Sequence, residues 1–335
     1  PTTLRFARLE LVRNQWRTYT QDLSSIGIGF DECEVPPVFN VDAVNIEENS
    51  SRRPFNYVLP EGIQREQRLG VFNALQNEQS LSARVQNLCD GKDQAVFKNI
   101  DLDFRVYERL KMFVHAEAYD GIDVPDGALT LFVRVGSDFQ NNYYEYEVPL
   151  VMSDPQAVAD NSPNSSEYKQ EVWKLANEID VGLKDWVALK LRRNETGYSP
   201  TDEYSELIDM GPDQLPRYQK VRGNPNLGNV KIAMIGIRNP YNADGASYST
   251  EIWVNEFRLT GLDERGGMAG IARMDLQLAD FGNLTLAGNF STIGFGALNQ
   301  KVQERNRENI TGYDIAANLE LGKFFPEAWG VRIPF

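Results

Sequence analysis

Along much of the chain, apolar and polar residues alternate with a period of two. Leu110, Met112, Val114 and Ala116 fall on one side and Lys111, Phe113, His115 and Glu117 on the other, as in a half-buried strand whose successive side chains point to opposite faces. The pattern recurs in Leu129, Leu131, Val133 and Val135 against Thr130, Phe132 and Arg134, and again in Tyr144, Tyr146, Val148 and Leu150. It predicts further strands over Ser80–Leu88, Asp185–Leu191, Val230–Ile237 and Glu251–Leu259, separated by turn-rich stretches such as Asp160 to Asn164 and Asn239 to Asn242. Seven or more short strands with almost no helical period predict an all-β, antiparallel sandwich over 78–262, with a jelly roll as its topology. Interleaved strand faces must exclude water together, so Met112, Val114, Leu129, Leu131, Val133, Tyr146, Val148, Ile232 and Trp253 are expected in one core.

The flanks differ from this middle. Over 1–30, Leu4, Phe6, Leu9, Leu11 and Trp16 alternate in part among arginines, as in the last strand of a preceding β unit. From 31 to 77 the chain holds Pro36-Pro37, Glu47-Glu48-Asn49-Ser50-Ser51, Pro54 and Pro60 with little periodicity, which predicts a long irregular connection. Over 263–335 the alternation becomes regular again: Ala272, Met274, Leu276 and Leu278, then Leu284, Leu286, Gly288 and Phe290, then Tyr313, Ile315, Ala317, Leu319 and Leu321. Each segment approaches the roughly 9–11 residues of a tilted membrane-crossing strand, and a short turn at Asp280 to Asn283 is followed by a long charged loop, Gly294 to Thr311. Transmembrane barrels alternate short turns and long loops in this way, though a soluble meander with one wet face gives the same alternation. In the barrel reading Leu276, Leu278, Leu284, Leu286, Leu319 and Leu321 face lipid and Asp275, Gln277 and Asn318 the lumen. The chain starts within a strand pattern and ends within one, so it reads as a piece of a longer protein.

Composition narrows the chemistry. With 48 acidic and 34 basic residues the formal charge is −14, and the basic residues form no long cluster, so nucleic acid is not expected as a partner. Cys33 and Cys89 can make at most one bridge, and two separate thiols are the simpler expectation. The single histidine, His115, sits within a strand pattern with no acid–base partner in view. No Gly-x-Ser-x-Gly elbow, phosphate-cradling glycine loop or His-Glu-x-x-His pattern is present. An enzyme is therefore not expected, and no catalytic, cofactor-binding or metal residue is assigned. Two features have a binding reading as well as a bland one. Tyr143, Tyr144 and Tyr146 could stack on a sugar ring, although the alternation favours a core role for Tyr144 and Tyr146. Asp120, Asp123 and Asp126 could hold calcium, although their spacing is not that of an EF-hand and a solvated turn is the simpler expectation.

Many short blocks carry a resemblance. Asn40 to Asn49, Arg53 to Pro60, Asn77 to Ser82, Met112 to Glu117, Glu251 to Leu259, Leu278 to Gly282 and Leu319 to Glu327 resemble the SprA/Sov family of Bacteroidota. The resemblance implies the outer-membrane translocon of the type IX secretion system, a very large barrel that exports folded cargo and is linked to gliding motility. It implies that 263–335 are barrel strands and that 78–262 is a sandwich on the extracellular side, serving as cap or cargo contact. Implied partners are secreted cargo proteins, a smaller outer-membrane shuttle barrel of the PorV type, a periplasmic plug protein and outer-membrane lipid. The alternative from another class is a cell-surface carbohydrate-binding β-sandwich module.

Overall fold

A computed structural model of the chain describes residues 16–21, 23, 33–65, 77–121, 123–242, 245–300 and 304–333. Two compact units emerge, Pro1–Leu262 and Asp263–Phe335. In the first, the strands in chain order are β1 (Arg17–Tyr19), β2 (Val38–Asn45), β3 (Gln79–Leu88), β4 (Asp93–Leu102), β5 (Arg109–Ala118), β6 (Thr130–Gly136), β7 (Tyr143–Pro149), β8 (Ile179–Gly182), β9 (Tyr204–Asp209), β10 (Arg217–Arg222), β11 (Val230–Arg238) and β12 (Tyr248–Thr260). Three helices accompany them, α1 (Ile46–Asn49), α2 (Ser166–Val172) and α3 (Leu183–Glu195).

The strands make two antiparallel sheets, one in the order β2-β3-β12-β5-β8 and the other β1-β4-β11-β6-β7-β10-β9. Within them, β3-β12-β5-β8 faces β4-β11-β6-β7, and from β3 onward the chain crosses between sheets at β3 to β4, β4 to β5, β5 to β6, β7 to β8, β8 to β9 and β11 to β12. That is the eight-strand jelly-roll order, as the alternation predicts. The inner faces supply one apolar core, including Leu110, Met112, Val114 and Ala116 from one sheet and Leu131, Val133, Tyr146 and Val148 from the other. Burying such faces against each other is the main favourable contribution to folding.

Several expectations are corrected. Trp253 is buried but lies outside this core, because β12 is apolar on both sides: Ile252 and Val254 point inward and Trp253 outward. Ile232 is also buried outside it, since the β11 register shifts between Val230 and Ile232, after which Ala233, Ile235 and Ile237 face inward. Asp185–Leu191 belongs to helix α3. Its buried residues Leu183, Trp186, Leu189 and Arg193 recur at three- and four-residue intervals, with Asp185 in the first turn and Arg192 and Arg193 in the last, where each suits the helix dipole. Val187 and Leu191, which mimic a strand face with Leu189, are exposed.

The flanking segments join the sandwich. β1 pairs with β4 at the edge of the seven-stranded sheet, so the part of 1–30 that is described extends this unit; Leu4 to Gln15 lie outside the described residues. The 31–77 connection is not wholly irregular, for β2 pairs with β3 from Val38 to Asn45. Asn45 then caps α1, its side chain accepting from the backbone N–H groups of Glu47 and Glu48. Cys33 and Cys89 form a disulfide, against the expectation of separate thiols, with Cα atoms 5.9 Å apart. Residues 56 positions apart meet because the connection folds back along β3.

In the second unit, β13 (Ala269–Leu278), β14 (Gly282–Ser291) and β15 (Ile310–Leu319) form an antiparallel sheet in chain order. Leu321 lies beyond β15 and opens a 3-10 helix, Leu321–Phe324, so it is not a strand residue as expected.

Candidate functional site

The register of the three-stranded sheet sorts its residues into two unlike faces. Met274 pairs with Leu286 and Leu286 with Ile315; Leu276 pairs with Leu284 and Leu284 with Ala317. Gly270, Ala272, Leu278, Phe290, Gly288, Tyr313 and Leu319 share that face by the period of two, so three strands present an almost unbroken apolar surface. The opposite face carries Arg273, Asp275 and Gln277 beside Asn283, Thr285 and Asn289, then Asp314 and Asn318. There Arg273 Nε donates to Asp275 Oδ2 at 3.0 Å and Thr285 donates to Asp275 Oδ1 at 2.7 Å. The apolar face is not covered within this unit: Met274 is 50 % exposed, Ile315 68 % and Tyr313 81 %. Beyond the turn end, Phe281 meets Phe324 edge-on at 4.8 Å between ring centres, and Phe324, Phe325 and Trp329 are exposed. The unit thus presents three ten-residue strands with one apolar face, with exposed aromatic rings beyond the turn. Among the described residues no helix is long and apolar enough to cross a membrane.

The sandwich holds the other singled-out residues. His115, on the outer face of β5, is fully buried in a second apolar cluster built from Phe55, Tyr57 and Val58 of the connection, Tyr168 and Val172 of α2, and Trp173 and Trp253. Its ring centre lies 4.2 Å from that of Trp253 and 5.0 Å from that of Phe55. Nδ1 makes a hydrogen bond of 2.8 Å with the Val172 carbonyl, and Ser153 Oγ stands 3.2 Å from the same nitrogen. Glu117 lies 3.8 Å from Nε2. The Ser153, His115, Glu117 line has the residue types of a hydrolytic triad, set in a buried layer. Ser153 Oγ donates to the Glu171 carbonyl at 2.9 Å, and all three side chains are buried.

The same cluster explains what secures the long connection, which the sequence leaves open. Trp173 Nε1 donates to the Val58 carbonyl at 2.8 Å, Tyr168 Oη donates to Asn56 Oδ1 at 3.1 Å, and Asn255 Nδ2 donates to Tyr57 Oη at 3.0 Å. Arg52 reaches in to bind Glu117 and, at 3.0 Å, Glu251, which also accepts from Arg84 at 2.6 Å. Burial opposes ionisation of Glu251, yet the Trp253 N–H, Arg52 and Arg84 overcome it and hold the carboxyl below its usual range.

A second ionic network, missed by sequence reasoning, crosses the outer face of the seven-stranded sheet. Arg134 is paired across strands with Glu145 at 2.6 Å, Lys220 bonds Glu147 at 2.9 Å, and Arg238 contacts Glu145 at 3.0 Å and also Glu147. Arg134 lies 3.8 Å over the Tyr143 ring. Burial pushes the Glu145 carboxyl up, but Arg134, Arg238 and Lys220 outweigh it and hold its pKa at about 2. The available signal was the pairing of opposite charges at alternate positions, Arg134 against Glu145 and Glu147, within otherwise apolar strands.

Neither binding reading finds its geometry. Tyr144 and Tyr146 are in the main core and Tyr143 is buried beneath Arg134, donating to Glu203 at 2.7 Å, so none of these three rings is offered to a sugar. Asp120 accepts from Gln86 at 2.9 Å and Asp126 from the Met152 N–H at 2.8 Å. Among the described residues no three His, Cys, Asp or Glu side chains gather as metal ligands. In comparison with known protein families, the SprA_N model, described as motility related/secretion protein, matches residues 1–335. No curated protein matches the chain.

Proposed function

The chain belongs to the SprA_N family of motility related/secretion proteins, and on that premise we propose that its three-stranded sheet is a section of a large transmembrane β-barrel through which folded cargo leaves a bacterial outer membrane. The observation that carries the reading is the continuous apolar face running across β13, β14 and β15, backed by a polar face. A barrel wall needs both, one for lipid and one for a water-filled lumen. At about 3.3 Å per residue, ten-residue strands tilted by roughly 45° span roughly 25 Å, the height of the apolar band of such barrels. Phe324, Phe325 and Trp329 then occupy the aromatic girdle at one interface. The Cys33 to Cys89 bridge fits an oxidising compartment outside the cytoplasm.

In this reading the protein is the translocon of the type IX secretion system, and function lies in shape, with no covalent chemistry. The sandwich serves as an extracellular cap or cargo contact, while a PorV-type shuttle barrel and a periplasmic plug protein are its partners. The test is Leu286→Arg in the intact protein, compared with Thr285→Arg on the polar face. Arginine at the apolar position should cost about 2–4 kcal/mol of insertion near the bilayer midplane, depleting the protein from outer-membrane fractions and cargo from the medium. Arginine at the neighbouring position should be tolerated. Equal behaviour of the two variants would reject the barrel assignment.

A further inference from the structure

On one side the two sheets of the sandwich end in edge strands, β8 and β9, and residues of both line a cleft of about 830 Å³. Gln219 and Arg217, two positions apart on β10, also line it. Gln219 is only 5 % exposed, yet its Oε1 is buried without a hydrogen-bond partner, and so is Nε of Arg217. An unsatisfied buried polar atom costs roughly 1–3 kcal/mol, so an acceptor and a donor left open together in one cleft call for a ligand bearing both groups. A peptide unit, with one N–H and one C=O, is such a ligand.

The charges around this pair add a second requirement. Arg109 is bonded to Asp180 and Arg192 to Glu206, whereas Glu178, Asp185 and Asp209, which also line the cleft, make no ion pair among the described residues. Burial pushes the Glu178 carboxyl up against the pull of Lys111, Arg258 and Arg217, and five carboxylates line the cleft against three arginines. The cleft thus carries an excess of negative charge. Among the described residues β9 has a strand partner on one side only, β10, and beside that open edge Leu207 is 53 % exposed and Met210 45 %. Open edges with apolar neighbours accept added strands from other chains.

We propose that this cleft docks an extended, lysine- or arginine-bearing segment of a partner protein, laid along the open edge of β9. A peptide unit of the segment satisfies Gln219 and Arg217. A cationic side chain meets Glu178, Asp185 and Asp209, and apolar side chains cover Leu207 and Met210. The proposal is independent of the membrane reading, since every residue it uses belongs to the sandwich.

The probe is a fluorescein-labelled peptide of alternating valine and arginine, titrated against the whole chain in detergent micelles and followed by anisotropy. Saturable binding is expected, weakened about tenfold or more in the Glu178→Gln, Asp185→Asn double variant, a loss of about 1.4 kcal/mol or more. The same peptide with glutamate for arginine should not bind. Hydrogen exchange of the Tyr204–Asp209 amides should slow when the arginine peptide is bound. Should the double variant not fold, Asp209→Asn at an exposed position should still weaken binding about threefold. Binding that ignores these charges, or slows exchange elsewhere but not in β9, would overturn the proposal.

Discussion

The sandwich and the three-stranded sheet are written in the same alternation and use it in opposite ways. In β5, Leu110, Met112, Val114 and Ala116 meet a second sheet of the same chain and are buried. In β13, Met274, Leu276 and Leu278 stand in an equally regular row and remain exposed. A period of two says that a strand has an apolar face, and nothing about what covers it. The polar faces teach the complementary lesson. Outside the sandwich sheets they carry buried ion networks and further side-chain layers, whereas Arg273 and Asp275 pair in the open.

The largest expected effect tests whether the outer layer of the sandwich is a true core. Trp253→Ala should cost about 3–5 kcal/mol, because it removes the ring against which His115, Tyr57 and Trp173 pack. Leu131→Ala, in the inner core, should cost about 2–5 kcal/mol, while its neighbour Thr130→Ala should be nearly silent. Thermal melts of the chain would compare the three. A Trp253 variant as stable as the Thr130 variant would mean that the connection is only draped over the sheet.

Acid should next separate the two units. The carboxyl of Glu145 is held at about 2 in the folded chain and returns to an ordinary value, about 4.3, when unfolded. A depressed folded pKa contributes stability that is fully present above the unfolded value and lost as the pH falls toward the folded one. The sandwich should therefore lose on the order of 3 kcal/mol between about pH 5 and pH 2. Denaturant titrations read on tryptophans of the sandwich at these two pH values would measure it. An unchanged midpoint would show that Glu145 is not held by its cations.

The smallest effect belongs to the open sheet. Leu286→Ala, with the chain in micelles, should shift stability by less than Leu131→Ala, because among the described residues of its own unit the Leu286 side chain has no partner sheet to leave a cavity in. Comparable losses would show that the apolar face has a protein partner, and would count against lipid.

How much was legible follows from where each signal resides. β5, β6 and β7 could be read because each has one clearly apolar row, and the jelly-roll order followed from many such strands. Trp253 was misplaced because Ile252, Trp253 and Val254 are all apolar, so alternation has no phase there. Helix α3 was missed because Val187, Leu189 and Leu191 imitate a strand, while the deciding positions, Leu183, Trp186, Leu189 and Arg193, show their meaning only against the core they fill. The cleft beside β9 and the Cys33 to Cys89 bridge depend on contacts between distant segments. Local pattern does not encode them.

The jelly-roll order also governs when this fold can form. β3 has β2 on one side, but its other neighbour is β12, and β5 likewise waits for β12 between itself and β3. A chain made from its N-terminus therefore carries open strand edges until residues 248–260 appear. Such high contact order slows folding and exposes edges to mispairing. The five-stranded sheet of the sandwich closes only when β12, the last of its strands in chain order, takes its place between β3 and β5.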